Sequence, residues 1–436
     1  MSTNETQTST PQEPADGAVA ADGAVSPTGA VDPRLLVREQ GFKGYLTEFK
    51  RKIKGGELGS LPVVIGLIVI WAIFQAKDSA FLSAGNLSNI SYFLVGTGMI
   101  SLGLVFVLLL GEIDLSVASV SGLSAAVFGV LSVTHGMNAW LAIVLAILTG
   151  LVFGALQGWF FAKVGVPAFV VTLAGNLAWN GLMLWILGSN GSINLADKGL
   201  MHILGQNSYF LASDVSGAYI LAILGTAGLL VSSLIEQARR RKAGVPFRPT
   251  SEIVLRTVLL AIAAFGSAYV LNQSKGVPNA LVVFLVLLVL ADFVLRRTSY
   301  GRKVFAVGGN IEAARRAGIN VAMIRITVFS IAGTFAAIGG LFMAANVLSA
   351  SQNAGQGNLL MLAIAAPVIG GTSLFGGRGR VWSAFLGGLV IQSITTGLDL
   401  LNMASSVQYM ITGAVLLAAV VIDSVSRRSQ KAAGRA

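Results

Sequence analysis

The sequence predicts an all-α integral membrane protein, a polytopic helical bundle with about 10–12 transmembrane helices and with both termini in the cytoplasm. Three observations predict it. Long apolar runs fill the chain from Leu61 to Ile422, only 11% of the 436 residues are charged, and the positive charges fall in alternate gaps between the runs. A backbone in lipid must satisfy its own N–H and C=O groups, so such runs become helices.

The two ends of the chain differ from this pattern. Residues 1–33 are mostly Ser, Thr, Pro, Ala, Gly and Asp and lack the charged-then-apolar pattern of a signal peptide, so they predict a disordered tail. Residues 34–56 are basic and mildly amphipathic, which predicts an interfacial segment on the cytoplasmic surface. The membrane domain is expected at 57–428, and residues 429–436 are expected to form a cytoplasmic tail.

Apolar periodicity gives twelve candidate spans. They are 59–76, 92–110, 115–134, 138–161, 168–188, 217–235, 253–271, 279–295, 323–347, 359–373, 381–398 and 405–423. The pieces 92–134 and 359–398 are rich in Gly and Ser, so broken or re-entrant segments stay open there. Gly150, Gly154 and Gly158, spaced four apart, are typical of a face on which membrane helices approach closely.

The distribution of positive charge predicts the orientation. With the N-terminus inside, 27 of the 30 Lys and Arg fall on the inner side of the membrane under this assignment, and Lys77, Lys198 and Lys275 are the exceptions. This is the positive-inside asymmetry. The net charge of +11 therefore indicates topology determinants that face anionic membrane lipid and cytoplasmic partners. Basic stretches interleaved with aromatic residues are absent, so no nucleic-acid partner is expected.

Several kinds of chemistry are missing from the sequence. The chain has no Cys, two isolated His and no Walker A loop, so we expect no metal site, no cofactor and no nucleotide site. Acidic residues such as Glu112 and Asp292 fall at predicted helix ends rather than mid-span, which argues against a proton relay. The chain is not expected to be an enzyme. A transporter of this composition needs energy from another polypeptide.

The inside segment 296–320 contains the signals of a short helix. They are Asn310 as N-cap, Glu312 in the first turn, Ala313 and Ala314 as helix formers, Arg315 and Arg316 in the last turn, and Gly318 just after the end. One interpretation is a solvated basic connector. The other is a docking helix that inserts into a groove of a soluble partner.

Four motifs resemble one known family. They are residues 309–320 (Gly-Asn-Ile-Glu-Ala-Ala-Arg-Arg-Ala-Gly-Ile-Asn), 112–117 (Glu-Ile-Asp-Leu-Ser-Val), 166–175 (Val-Pro-Ala-Phe-Val-Val-Thr-Leu-Ala-Gly) and 369–377 (Ile-Gly-Gly-Thr-Ser-Leu-Phe-Gly-Gly). In this order the motifs resemble bacterial ABC-importer permeases of the ribose, arabinose and xylose branch, over about residues 57–428. The insert near 239–276 is most similar to that of the xylose permeases.

The resemblance implies a function and partners. It implies a multi-pass permease of the bacterial cell membrane that imports a sugar, xylose or a similar pentose, and that forms a homodimer. It also implies a separate ATP-binding ABC subunit docking on the helix at 310–318, and an extracytoplasmic sugar-binding protein. Departures from the family pattern, such as Ala118 and Arg378, leave the exact sugar open.

Two further sets of residues are candidates for function. The Gly-rich elements predict either tight turns or gates that flex during alternating access. Their residues are Glu112, Asp114, Gly370, Gly371, Gly376 and Gly377. A sugar pathway should be lined by amide and hydroxyl groups, and the candidates within spans are Asn176, Trp179, Asn180, Gln392 and Thr396. Hydrogen bonding between helices is the alternative role for each of them.

Two rival functions remain at this point. An ion-coupled secondary transporter of a small polar solute would lose uptake when an uncoupler is added while ATP is held constant. An integral-membrane enzyme or a lipid-handling scaffold would need a polar catalytic cluster, and the sequence offers no set of acid and His residues for one.

Overall fold

A computed structural model gives the fold for residues 61–206, 208–211, 217–245 and 247–432. The segments predicted at 1–33 and 34–56 lie outside the described residues, as do residues 433–436. The described chain is almost entirely helical. The predicted all-α polytopic architecture is therefore confirmed.

The structure contains fifteen α-helices and two short strands in the described part of the chain. In chain order they are α1 (Leu61–Lys77), α2 (Ala84–Leu109), α3 (Val117–Gly129), α4 (Ala139–Trp159), α5 (Ala168–Leu187), β1 (Ser192–Asn194), α6 (Gly199–Leu204), α7 (Gly217–Lys242), α8 (Thr250–Asn272), α9 (Asn279–Arg297), α10 (Ser299–Gly309), α11 (Ile311–Arg316), α12 (Val321–Val347), β2 (Ser349–Ser351), α13 (Leu359–Ile369), α14 (Trp382–Leu400) and α15 (Ser405–Ala432). Short π-helical turns at Val130–Thr134 and Phe160–Val164 extend α3 and α4.

Nine helices of the described part are long and apolar enough to cross a membrane. The prediction was wrong for the span at 359–373, because α13 ends at Ile369 after 11 residues and includes Pro367. At 1.5 Å per residue it is about 16 Å long, roughly half of a hydrocarbon core. This segment is broken, as the Gly-rich sequence allowed. The last helix also runs beyond the predicted span 405–423 and includes the first residues of the predicted tail at 429–436.

Helix α2 forms the centre of the bundle. Of its most apolar stretch, 89% is buried inside the chain, and α2 contacts α9, α12, α13 and α14. Helices α4 and α12 pack closely through glycine, as predicted from the spacing in α4. Gly150 and Gly333 face each other's carbonyl oxygens with no room for a side chain, and Gly154 lies against the carbonyl of Phe329 in the same way.

The loops separate into two groups at opposite ends of the spans. At one end, the antiparallel strands β1 and β2 pair Ser192 with Ser351, and an isolated bridge joins Tyr209 to Pro278. At the other end, the backbone N–H of Gly377 donates to the carbonyl of Leu109 at 2.9 Å. The sequence assigned the first group to the outside and the second to the inside. We call the second group the basic end.

Candidate functional site

Helix α11 at the basic end is short and closed at both termini. Asn310 has an extended backbone and its Oδ1 accepts the N–H of Ala313 at 2.9 Å. After the helix, Gly318 takes the left-handed conformation with φ of +77°. The N–H of Gly318 donates to the Arg315 carbonyl at 3.0 Å, and that of Ile319 donates to the Ala314 carbonyl at 3.1 Å, which is a Schellman motif. The predicted short helix is therefore present.

One residue of α11 anchors it to the protein. Ala314 is 3% exposed and belongs to the largest core cluster, with Ile311 and Ile319 packed against that cluster. The other predicted residues of this site, Asn310, Glu312, Ala313, Arg315 and Gly318, are exposed. Glu312 and Arg315 form an ion pair of 3.1 Å with both side chains more than half exposed, so the pair adds little stability. The polar face of α11 thus points away from the bundle.

A second helix, α10, precedes α11 and was missed by the sequence analysis, which treated 296–309 as connector. Thr298 caps it by accepting the N–H of Gly301 at 3.3 Å, and Val304 and Val307 are buried. Their spacing, with Tyr300, was the signal for an amphipathic helix. Gly308 and Gly309 close this helix, and both residues are helical.

The last turn of α10 and two loops of the basic end meet through glycine backbones. Gly308 lies against the carbonyl of Leu109 with no room for a Cβ. A Cβ on Gly376 would lie 2.8 Å from the Gly308 carbonyl oxygen and 2.9 Å from the Gly111 nitrogen. We call Gly111, Gly308, Gly376 and Gly377 the glycine junction. It joins the end of α10, directly before α11, to both predicted gate elements.

Other predicted gate residues form a tight turn. Gly370 follows α13 and lies against the backbone of Ser383 in α14, where no Cβ fits. Gly371 has φ of +97°, and its N–H donates to the Val368 carbonyl at 2.9 Å. The hydroxyls of Thr372 and Ser383 are 2.6 Å apart and tie this turn to α14.

An open cleft of about 620 Å³ lies beside the glycine junction. Its polar lining includes Glu112, Asn310, Glu312, Arg315 and Arg325. Burial raises the pKa of the Glu112 carboxyl, and the Arg325 guanidinium partly offsets this rise. Arg325 also stacks on the Phe161 ring, 4.2 Å from its centroid. The cleft therefore connects one predicted gate residue with α11.

Asp114 points away from this cleft into a buried polar chain. It is 1% exposed, and its Oδ1 accepts the Ser116 N–H at 2.8 Å and the Ser116 hydroxyl at 2.6 Å. The same hydroxyl lies 2.8 Å from the amide end of Gln157 in α4. Gln157, which is 2% exposed, was not predicted. An amide within the apolar run 138–161 was the available signal.

The contact with Ser116 orients the Gln157 amide. Its Oε1 accepts from the Ser116 hydroxyl at 2.8 Å, so its Nε2 faces the other way, toward Gly175. A Cβ on Gly175 would lie 2.2 Å from Gln157 Nε2 and 2.9 Å from Trp179 Nε1. Both nitrogens are buried and have no hydrogen-bond partner among the described residues. The buried polar chain therefore runs from Asp114 through Ser116 to the Gln157 amide.

The predicted pathway residues fall into two separate sets. On α5, the Trp179 ring lies against Phe153 with centroids 4.0 Å apart and ring planes tilted by 42°. The buried Asn180 Oδ1 has no partner among the described residues. Asn176 is half-buried on the same helix. On α14, Gln392 donates to Thr396 at 3.0 Å. Helix α5 packs on α3 and α4, whereas α14 packs on α1, α2 and α13, so one chain does not bring the two sets together.

Metal chemistry has no candidate site in the described residues. No group of three or more His, Cys, Asp and Glu comes together there. The arrangement at the basic end instead offers a projecting helix linked by backbone contacts to two interhelical loops.

Comparison with known proteins decides the family. The family described as "Branched-chain amino acid transport system / permease component" matches residues 86–420. The chain belongs to this family. The permease is 37% identical over 378 residues to the xylose transport system permease protein of Haemophilus influenzae, covering 86% of this chain and 99% of that protein. It is also 37% identical to the xylose transport system permease protein of Escherichia coli K12, with 86% and 94% covered.

More distant relatives carry a second sugar's name. The permease is 29% identical over 377 residues to the ribose import permease protein of Bacillus subtilis, covering 86% of this chain and 96% of that protein. No solved structure matches the chain. The predicted resemblance, the multi-pass membrane location and the transport rather than enzymatic role are confirmed. A permease component of such an import system implies an ATPase and a substrate-binding protein as partners.

Proposed function

We propose that this permease imports a pentose, xylose or a close analogue, and that two copies form the translocation pathway. An ATPase subunit docks on α11, and a sugar-binding protein delivers the substrate at the end that carries β1 and β2. The observation that carries the docking assignment is α11 itself. It is capped at both ends, held to the core by Ala314 and exposed along its polar face.

The polar groups of the pathway candidates support a sugar. The family description names branched-chain amino acids. The relatives that this chain matches over almost their whole length are instead named for xylose and ribose. A zwitterionic amino acid would call for charged partners in a low-dielectric pathway. The candidates Asn176, Asn180 and Gln392 are amides, and Trp179 offers an apolar ring for a sugar face and an N–H donor.

A homodimer is supported by the separation of the pathway residues. The pathway candidates on α5 and those on α14 belong to helices that pack against different neighbours within one chain. The opposite side of α5 exposes large apolar side chains, such as Leu177 (70%) and Trp185 (79%). A second copy or lipid must cover that side, and a pathway between two copies would need no further protein subunit.

The orientation and the power source belong to the same proposal. The N-terminus, the C-terminus and the basic end are cytoplasmic, which the positive-inside asymmetry supports. ATP hydrolysis in the partner rearranges α11, and the glycine junction passes this movement to the loops at 109–112 and 370–377. Glu112, Asp114, Gly370, Gly371, Gly376 and Gly377 act there as hinge or support residues.

The proposal is tested at Glu312. Glu312→Arg reverses an exposed charge on α11, so the variant should insert normally but lose most sugar-stimulated ATPase activity and uptake. Arg302→Glu on the exposed face of α10 is the control of equal charge change and should keep both activities. Unchanged transport by the Glu312→Arg variant would refute the docking role. Uptake that stops with an uncoupler at constant ATP would favour the secondary transporter instead.

A further inference from the structure

An arginine cluster lies at the basic end, and none of its members lines the cleft. It consists of Arg248, which precedes α8, Arg256 in α8, Arg296 in α9 and Arg380, which precedes α14. Two carboxylates lie beneath it. Glu252 is 10% exposed and pairs with Arg256 at 2.7 Å, and Asp292 is 24% exposed and pairs with Arg296 at 2.9 Å.

The arginines themselves face outward. The side chains of Arg248, Arg256 and Arg296 are 48%, 45% and 45% exposed. Four guanidinium groups against two carboxylates leave an excess of positive charge on this surface. The end of α7 extends the positive surface with Arg239, Arg240, Arg241 and Lys242.

Arg380 is the residue of the cluster that forms no close ion pair among the described residues. It lies within electrostatic range of charged groups from α8 and α9, namely Arg248, Arg256, Arg296 and Asp292. Burial and the three neighbouring guanidinium groups lower the pKa of Arg380, and Asp292 raises it. An anion bound here would relieve the repulsion among the arginines.

The surface next to the cluster is strongly apolar. Helices α7 and α8 pack on each other, and only 11% of the most apolar stretch of each is buried in the chain. Val258 and Leu259 in α8 are 46% and 58% exposed, and Leu290 and Phe293 in α9 are 54% and 59% exposed. These side chains lie within about two helical turns of Arg256 and Arg296, toward the middle of the spans.

We propose that the arginine cluster binds the headgroup of an anionic phospholipid whose acyl chains lie along α8 and α9. The ligand must carry a negative phosphate at the cluster and apolar chains beside it. A phospholipid has both parts in this order, and basic pockets between transmembrane helices suit such headgroups. A soluble protein partner would satisfy the charge but not the apolar rows directly beneath it.

The test removes charge while each carboxylate keeps its closest partner. Arg248→Gln/Arg380→Gln ends the 4.0 Å contact of Arg248 with Glu252 but leaves the closer pairs Arg256–Glu252 and Arg296–Asp292 intact. Arg302→Gln/Lys303→Gln removes the same charge from the exposed face of α10 at the same end and serves as the matched control. Each protein is purified in detergent and titrated with phosphatidylglycerol or phosphatidylcholine, and native mass spectrometry counts the bound lipids and the copies of the chain.

The wild-type protein and the control should retain phosphatidylglycerol in preference to phosphatidylcholine. Near a membrane surface one basic residue contributes about a fivefold preference for anionic lipid, so the double variant should lose roughly 25-fold. Arg248→Lys/Arg380→Lys keeps the charge and should retain most of the preference. Inorganic phosphate and glycerophosphoglycerol, which lack acyl chains, should not displace the bound lipid at equal concentration.

Several results would overturn the inference. The proposed site would be contradicted if the wild-type protein retained both lipids equally. It would also be contradicted if the wild-type protein and the double variant bound phosphatidylglycerol equally. Displacement by free phosphate would make it an anion site without a lipid role. If the double variant changed the ratio of one to two copies, or binding of the ATPase subunit, while lipid binding stayed the same, the cluster would belong to a protein interface.

Discussion

Gly308 touches the carbonyl of Leu109 with no space for a β carbon between them. The contact joins the last turn of α10 to the last residue of α2, the helix of the bundle with the most buried apolar stretch. The residue after Gly308 and Gly309 is Asn310, the N-cap of α11. The start of α11 is thus connected to the end of α2 through backbone contacts rather than through long side chains.

The first prediction concerns this contact. Gly308→Ala should separate α10 from Leu109 and destabilise the protein by about 1–3 kcal/mol, the usual cost of overpacking. It should also lower the uptake obtained per ATP hydrolysed. Gly309→Ala is the matched control, because nothing lies within 4 Å of its added Cβ. Thermal unfolding in detergent and coupled transport in proteoliposomes measure the two effects, and equal behaviour of the two variants would contradict the role of the junction.

The second prediction concerns the buried polar chain. Ser116→Ala removes the hydroxyl that lies between Asp114 and Gln157, so a buried carboxylate loses a hydrogen bond. The free energy of unfolding should fall by about 1–3 kcal/mol. Ser132→Ala is the control, because the Ser132 hydroxyl bonds the Phe128 carbonyl of its own helical segment at a half-exposed position. A control that loses as much stability as Ser116→Ala would show that the chain contributes nothing specific.

The third prediction concerns orientation. The chain has no Cys, so single-cysteine variants can be made without other changes. Arg315→Cys on α11 and Asn353→Cys after β2 are exposed positions at opposite ends of the spans. In intact cells an impermeant maleimide should label Asn353→Cys at once and Arg315→Cys only after permeabilisation. Labelling of position 315 in intact cells would reverse the topology proposed above.

The fourth prediction concerns pH. Burial raises the pKa of Glu112 in the folded protein above its ordinary value of 4.5, against a smaller opposing effect of Arg325. Protonated Glu112 therefore favours the folded state. Its contribution to stability is present below 4.5 and is lost as the pH rises through the folded pKa. Glu112→Gln should flatten this part of the pH profile of thermal unfolding. A variant with the same profile as the wild-type protein would contradict a raised pKa of Glu112.

The sequence predicted best the features that depend on local chemistry. The caps of α11 follow from Asn310 and Gly318, because an amide side chain suits an N-cap and glycine suits a left-handed residue. The spans follow from apolar runs in the same way. Helix α10 was missed because its closing glycines, Gly308 and Gly309, usually break helices. In this fold they are needed where α10 meets Leu109.

The features that depend on distant contacts could not be predicted. Nothing near Gln157 in the sequence indicates that its partner is Ser116, which lies 41 residues earlier in the chain. The glycine junction joins the last turn of α10 to two separate loops, and no local pattern favours Gly376 over the nearby Gly379 as a neighbour of Gly308. The short α13 was foreseen only as an open possibility, because the length of a helix within a Gly-rich run depends on what it packs against.

The enclosure of α2 has a consequence for biogenesis. Its neighbours α12, α13 and α14 are synthesised long after it leaves the ribosome. Until those helices are inserted, α2 contacts lipid or the insertion machinery instead of its final neighbours. A chain truncated before Val321 should therefore insert but remain loose and sensitive to protease around α2. The contacts at the centre of the bundle are therefore completed late in assembly.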